Sequence, residues 1–344
     1  MTLLRADRLT LVPLVFLCVL VGASAPSAKS NPTADSTLPL DAESSATPEP
    51  ELKTLEFFLE GFHIDKMYLS MEGPEEKLPV KSAWENAGSA VWVKSMTVEI
   101  LDEAREPLSA EFLCHAWLTF RSPQRGGMMS VSQGTKTVTL PEGFAFVMPN
   151  DPDTKLTLVG MLENNNHAVI DQKVVMKYTI GYYSDEEARK SKLKKLVTLN
   201  MVGRPDAPSV HQHSPMKPKL NPHHWMVPPG RHTYRSALTR PMFRSPGNPM
   251  GIREGTRIHF MRPHLHGYGE SVALIDKTTG KTIWTGYAEN AKELRHVVSV
   301  DLYSDSDGIP LYPDHEYELE IVYNNPTQKP IDAMGALRAF VSVE

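Results

Sequence analysis

From residue 52 onward the chain alternates apolar and polar positions in short runs, and Gly, Pro, Asn or Asp breaks each run from the next. A period of two is the signature of strands, whose successive side chains point to opposite faces. Segments 57–63, 66–72, 90–101, 112–120, 136–140, 155–162 and 172–183 are rich in β-branched and aromatic residues and are predicted strands. One helix is predicted over 185–195, with Asp185 as its cap and basic residues gathering toward its C-terminal end. A polar stretch containing Pro and His follows at 201–222, and strands resume at 255–265, 271–276, 282–287, 297–303, 316–323 and 336–343. Thr278-Thr279-Gly280 marks a turn between two of them. The pattern holds no internal repeat and no helix alternation of the kind a parallel sheet needs. It predicts an all-β fold of two tandem antiparallel β-sandwich, jelly-roll-like domains, 52–200 and 223–344, joined by the linker 201–222.

The N-terminus changes the picture of where the protein works. Arg5 and Arg8 precede an apolar run over 9–23, and Ala23-Ser24-Ala25 supplies small residues for cleavage. This reads as a signal peptide, 1–25, and implies a secreted or periplasmic protein. The run is short for a membrane span and contains Pro13, and no later segment is apolar enough to cross a bilayer, so no stable membrane insertion is expected. Residues 26–51 are rich in Ser, Thr, Pro, Ala and acids and read as a flexible tether. The net charge of −5 gives no electrostatic footprint for nucleic acid. Of the two cysteines, Cys18 lies in the leader, so the mature chain carries Cys114 alone and forms no internal disulfide. A buried small hydrophobe is the ordinary fate of such a thiol.

Candidate chemistry centres on His264 and His266. At i and i+2 on a strand, both imidazoles project from one face, which makes half of a metal site. Imidazole suits Cu, Zn, Fe and Ni alike, and an isolated His-x-His equally describes two surface histidines. Met334 alters the balance, because a thioether favours copper, especially Cu(I). Met also fills gaps in cores, but Ala333, Gly335 and Ala336 leave room beside this one. His211 and His213 read as solvated linker residues; His63, His296 and His315 as surface or turn residues; His232 and His259 as out of phase with the pair. Asp314-His315 has no Ser or Cys partner for nucleophilic hydrolysis, and the chain has neither a phosphate-binding glycine loop nor a dinucleotide fingerprint.

Several segments together resemble the copper type II, ascorbate-dependent monooxygenases, the family of peptidylglycine α-hydroxylating and dopamine β-monooxygenases. The matching pieces are Val227-Pro228-Pro229-Gly230, Arg262 two residues before His264, the pair His264 and His266, and Asp332-Ala333-Met334, in that order. The resemblance covers 222–344 and is weaker over the N-terminal half. It implies a C-terminal copper on His264, His266 and Met334 that activates O2. It also implies a second, distant copper in the N-terminal domain that stores an electron. Ascorbate would supply electrons, and a C–H bond of a small organic substrate would be hydroxylated. The N-terminal site departs from the family. Cys114 stands where the first of two adjacent histidines is expected, and His115 keeps the second. No His lies in 158–164, where the third is expected, though His167 follows shortly. Cys114, His115 and His167 are therefore the candidate N-terminal ligands, with His223 and His224 as further candidates. The family's disulfides are missing, and its substrate-binding Asn and Tyr are replaced by Ala336 and Arg338. Arg262 and Arg338 are candidate contacts for an anionic substrate. The reading is an exported copper monooxygenase using O2 and a reductant such as ascorbate. Its alternative is a non-catalytic copper-binding protein for storage, delivery or scaffolding.

Overall fold

The alternating pattern folds as expected into an almost all-β protein built of antiparallel sheets. The computed structural model describes residues 49–68, 71–123, 126–208, 223–238 and 251–343. The expected signal peptide, most of the 26–51 tether, and His211 and His213 lie outside the described residues. Among the described residues no helix is long and apolar enough to cross a membrane. Order begins before the expected end of the tether. The Glu49 carboxylate accepts from Lys94 Nζ at 2.5 Å, from the Gly143 amide at 2.6 Å and from the Tyr183 hydroxyl at 3.0 Å.

The first half supplies β1 (Lys53–Ile64), β2 (Glu75–Pro79), β3 (Ala90–Leu101), β4 (Leu113–Arg121), β5 (Gly126–Ser132), β6 (Thr137–Thr139), β7 (Phe144–Pro149), β8 (Lys155–Leu162), β9 (Gln172–Ser184) and β10 (Lys194–Val202). The second supplies β11 (Trp225–Val227), β12 (Gly230–Leu238), β13 (Arg257–Leu265), β14 (Gly269–Asp276), β15 (Lys281–Asn290), β16 (Val297–Val300), β17 (Tyr303–Pro310), β18 (Tyr317–Asn325), β19 (Ile331–Ala333) and β20 (Gly335–Ser342). A sheet of order β2-β8-β4-β5 serves the first half, and one of order β12-β18-β14-β15-β16 serves the second. Between them runs one long sheet, β1-β9-β3-β7-β10-β20-β13-β17, to which both halves contribute.

Strand β10 is the join. Its start pairs in parallel with β7, Lys194 to Leu196 against Phe144 to Phe146, and the rest pairs antiparallel with β20. Each half keeps its own apolar core, but Phe260 and Phe340 of the second half pack into the first core. Rings of Phe120, Phe146, Phe340 and Phe260 follow one another at 5.9, 5.5 and 6.0 Å and weld the halves. Aromatic contacts of this kind stabilise beyond their buried area.

Two elements differ from the sequence reading. Among the described residues of 66–72, namely 66–68 and 71–72, there is no strand, and Met71 adopts φ 65°, a left-handed conformation that breaks extension; the strand forms at β2, after Pro74. The predicted helix shortens to α1 (Asp185–Lys190). Ser184, not Asp185, caps it, with Glu187 completing a capping box, while Asp185 turns inward to Ser89 and Trp92. Lys192 at φ 55° then turns the chain into β10.

Candidate metal centre

Strand β13 has two faces with different fates. Met261 and Leu265 point into the second core. Arg262 and His264 point the other way, opposite Arg338 and Ala336 of β20. Directly opposed residues of an antiparallel pair share a face. The register ends with Leu265 opposite Gly335, so His266 and Met334 lie just past the ends of the two strands. The Tyr323 hydroxyl fixes this corner. It accepts from the His266 amide at 2.9 Å and donates to the Met334 carbonyl at 2.6 Å. His264 and His266 stand with ring centroids 5.5 Å apart, near perpendicular.

His115 arrives from β4. The pairing of β4 with β8 slips between Leu113 and His115, so Cys114 is an extra residue in the strand. Bulges of this kind re-aim side chains. Ala116 and Leu118 point into the first core, and His115 lies flat against Trp117, with centroids 5.2 Å apart and planes 7° apart. Its Nε2 meets Nε2 of His264 at 3.0 Å. The expected trio of Cys114, His115 and His167 does not assemble. Cys114 Sγ sits 2.9 Å from Nδ1 of His115, on the side of the ring away from His264. His167 is drawn to Glu111, 3.2 Å away, and packs against Phe112. The N-terminal imidazole thus joins the C-terminal pair instead of building a separate site.

A fourth imidazole completes the group. His224 precedes β11, and its ring lies 5.3 Å from that of His266. Ligand atoms of His224, His266 and Asp332 lie within 4.8 Å of one another. All four imidazoles are buried, at 4% exposure for His115, 2% for His224, 2% for His264 and 5% for His266.

The surroundings orient these rings. His264 Nδ1 bonds Ser132 Oγ at 3.1 Å, which directs its Nε2 toward His115. His266 Nδ1 faces Asp332 Oδ2 at 3.2 Å, and Arg295 holds the other carboxylate oxygen at 2.7 Å. Burial opposes the charge of Asp332, yet Arg295 and His266 hold its carboxyl far below the usual carboxylate range. Burial, with Arg338 nearby, pushes His115 well below the usual imidazole range. Burial, with His115 nearby, does the same to His264. Both are therefore neutral near pH 7, the form in which imidazole binds metals. Glu163 is also buried, and burial raises its carboxyl.

Two imidazoles and a carboxylate, His224, His266 and Asp332, could hold a metal ion, and donors of these types do not by themselves choose among Cu, Zn, Fe and Ni. Metal–imidazole bonds of about 2.0–2.1 Å at a right angle place two ligand nitrogens about 2.9 Å apart, close to the 3.0 Å between His115 and His264.

The arginines part company. The Arg262 guanidinium is buried and donates to the Ser130 carbonyl at 2.8 Å, Ser130 Oγ at 3.2 Å and Ser132 Oγ at 2.9 Å. It ties β13 to β5, and burial beside Arg338 lowers it to about 9. Arg338 lies opposite Arg262 and keeps partial exposure; burial lowers it to about 10.

Ser132, Arg295 and Tyr323 carry no metal-site signal in the sequence. His224 could have been weighted more, because it abuts an apolar triplet, Trp225-Met226-Val227, that becomes a strand beside Met334.

No protein-family model and no curated protein matches the chain. Among solved structures, naturally empty cowpea mosaic virus particles (top component) align over 90% of this chain and 95% of theirs, with 9% identity and a TM-score of 0.35. A protein from Parabacteroides distasonis aligns over 86% of this chain and 95% of its own, with 7% identity and a TM-score of 0.20.

Proposed function

We propose that the protein is an exported copper-dependent oxidoreductase of the monooxygenase type. Its centre would draw on His115, His264, His266 and Met334. The observation that carries this reading is the 3.0 Å approach of two buried, neutral imidazole nitrogens from opposite halves of the chain. Neutral imidazole nitrogens held this close can share a metal ion in place of the hydrogen bond that joins them here. Bound copper would supply one-electron redox chemistry and an affinity for O2. The reaction class is R–H + O2 + 2 e− + 2 H+ → R–OH + H2O, with the electrons from an external reductant such as ascorbate. Ser132 and Asp332 orient His264 and His266, and Tyr323 holds His266 and Met334 together. The family resemblance in 222–344 supports the reaction type, and the leader-like N-terminus supports export.

The second reading is copper binding without turnover, for storage or delivery. The low exposure of all four imidazoles favours it, since they present little surface to an organic substrate. Purified protein loaded with copper separates the two. Oxygen uptake with ascorbate that Met334→Ala abolishes supports the oxidoreductase. Copper binding without uptake leaves the binding protein, and no copper binding overturns both.

A further inference from the structure

We infer that Arg338 anchors a binding site for a small organic anion beside the imidazole pair His115 and His264, with a planar pair of anionic oxygens meeting the guanidinium fork. The site stands on charge and geometry in the metal-free protein. Its part in turnover, as the dock for an anionic reductant or an anionic substrate, rests on the copper reading above.

Arg338 is a cation without a counter-charge. In the β13–β20 register it stands directly opposite Arg262, and like charges so placed repel. Arg262 is satisfied by the Ser130 carbonyl, Ser130 Oγ and Ser132 Oγ. Among the described residues no hydrogen bond or ion pair engages the Arg338 guanidinium, and burial lowers it with no carboxylate to hold it up. Arg338 acts on His115, His264, His223 and Arg262, in each case against a positive charge there. The carboxylate of the centre, Asp332, is already held by Arg295 and His266. A charge drawn out of water and left unpaired is costly, and a bound anion relieves it.

The position keeps contact with solvent. Arg338 is half-buried, and so is Asn200, which stands opposite it on β10 and shares its face. The outer face of β4 and β5 lies across from that face, because Arg262 reaches Ser130 Oγ there. Ser130 stands opposite Trp117, which is also half-buried and lies flat on His115. A guanidinium, an amide and an indole thus border the buried imidazole pair where side chains retain exposure. The shape of the ligand follows from the guanidinium, whose planar fork pairs two oxygens at once. A carboxylate offers such a pair, and so does the enediolate of ascorbate. Trp117 adds a flat apolar wall for the body of the anion.

The test is thermal unfolding of the metal-free full chain at constant ionic strength, with benzoate, with ascorbate under nitrogen, and with neutral benzamide. The wild-type midpoint is expected to rise with either anion and not with benzamide. Arg338→Gln is expected to lose that rise and to bind both anions at least about tenfold more weakly by calorimetric titration, the loss of a charge-assisted hydrogen bond. Arg338→Lys keeps the charge without the fork and is expected to fall between. An equal rise in Arg338→Gln, or a wild-type rise that chloride reproduces, overturns the inference. Should Arg338→Gln fail to fold, wild type and Arg338→Lys decide, and equal responses to benzoate and benzamide overturn it. Tighter binding of ascorbate assigns the site to the reductant, and tighter binding of benzoate assigns it to a carboxylate substrate; either order supports the site. Because the readout needs no copper, failure here leaves the copper reading intact, and a protein that binds the anions but no copper overturns only the copper reading.

Discussion

His115 and His264 are 149 residues apart in sequence, yet their Nε2 atoms lie 3.0 Å apart in the fold. One belongs to a bulged strand of the first sandwich and the other to a strand of the second. If a single ion sits between them, each residue is useless without the other. His115→Ala and His264→Ala should each lose one copper per chain, and the double variant should lose no more than either alone. Such non-additivity is the mark of residues acting as a unit. Losses that simply add in the double variant would mean that the two imidazoles hold separate ions.

Ser132 serves two partners. Its Oγ bonds His264 Nδ1 and accepts from Arg262. Ser132→Ala should therefore weaken copper binding about 10–100-fold, the usual cost of removing a group that orients a metal-binding histidine. The fold should survive, because Arg262 keeps its bond to the Ser130 carbonyl. Competition titration against a Cu(I) chelator measures the affinity. An unchanged affinity would assign Ser132 to structure alone.

The strands, the antiparallel class and the shared face of His264 and His266 were legible because a period of two is written locally in the chain. The meeting of His115 with His264 was not, for two physical reasons. The bulge at Cys114 reverses which face His115 occupies, and no local pattern marks a bulge. The join through β10 was also hidden. The sequence pattern makes 185–195 a helix and 201–222 a boundary, whereas β10 lies between them and pairs with both halves. His167 looked like a ligand by proximity in sequence, but Glu111 offered it a nearer partner.

Asp332 is a buried carboxylate whose two oxygens serve His266 and Arg295. Replacing it with Ala strands the Arg295 guanidinium in the interior. Losing one partner of a buried pair costs about 3–5 kcal/mol, so metal-free Asp332→Ala should unfold at a markedly lower urea concentration than wild type. Asp332→Asn keeps a hydrogen-bond acceptor and should lose less. Equal midpoints for Asp332→Ala and wild type would show that the pair adds nothing to stability.

Acid should destabilise the first half through α1. Burial alone would raise the Asp185 carboxyl, but bonds from Arg189, Ser89 and Trp92 Nε1 outweigh it and bring it down to about 2. In the unfolded chain an Asp titrates at about 3.9. The folded value is the lower one, so the unfolded state takes up the proton first as pH falls. The stabilisation from Asp185 is therefore full above about pH 4 and is lost progressively as pH falls toward about 2. Glu187, also held near 2 by Lys53 and Ser184, contributes in the same direction. Asp185→Asn should be less stable than wild type at pH 7, and its unfolding midpoint should fall less steeply between pH 4 and pH 2. Trp92, whose indole donates to Asp185, gives a fluorescence signal at the spot. Parallel midpoint-against-pH curves for the two proteins would remove Asp185 from the account of acid sensitivity.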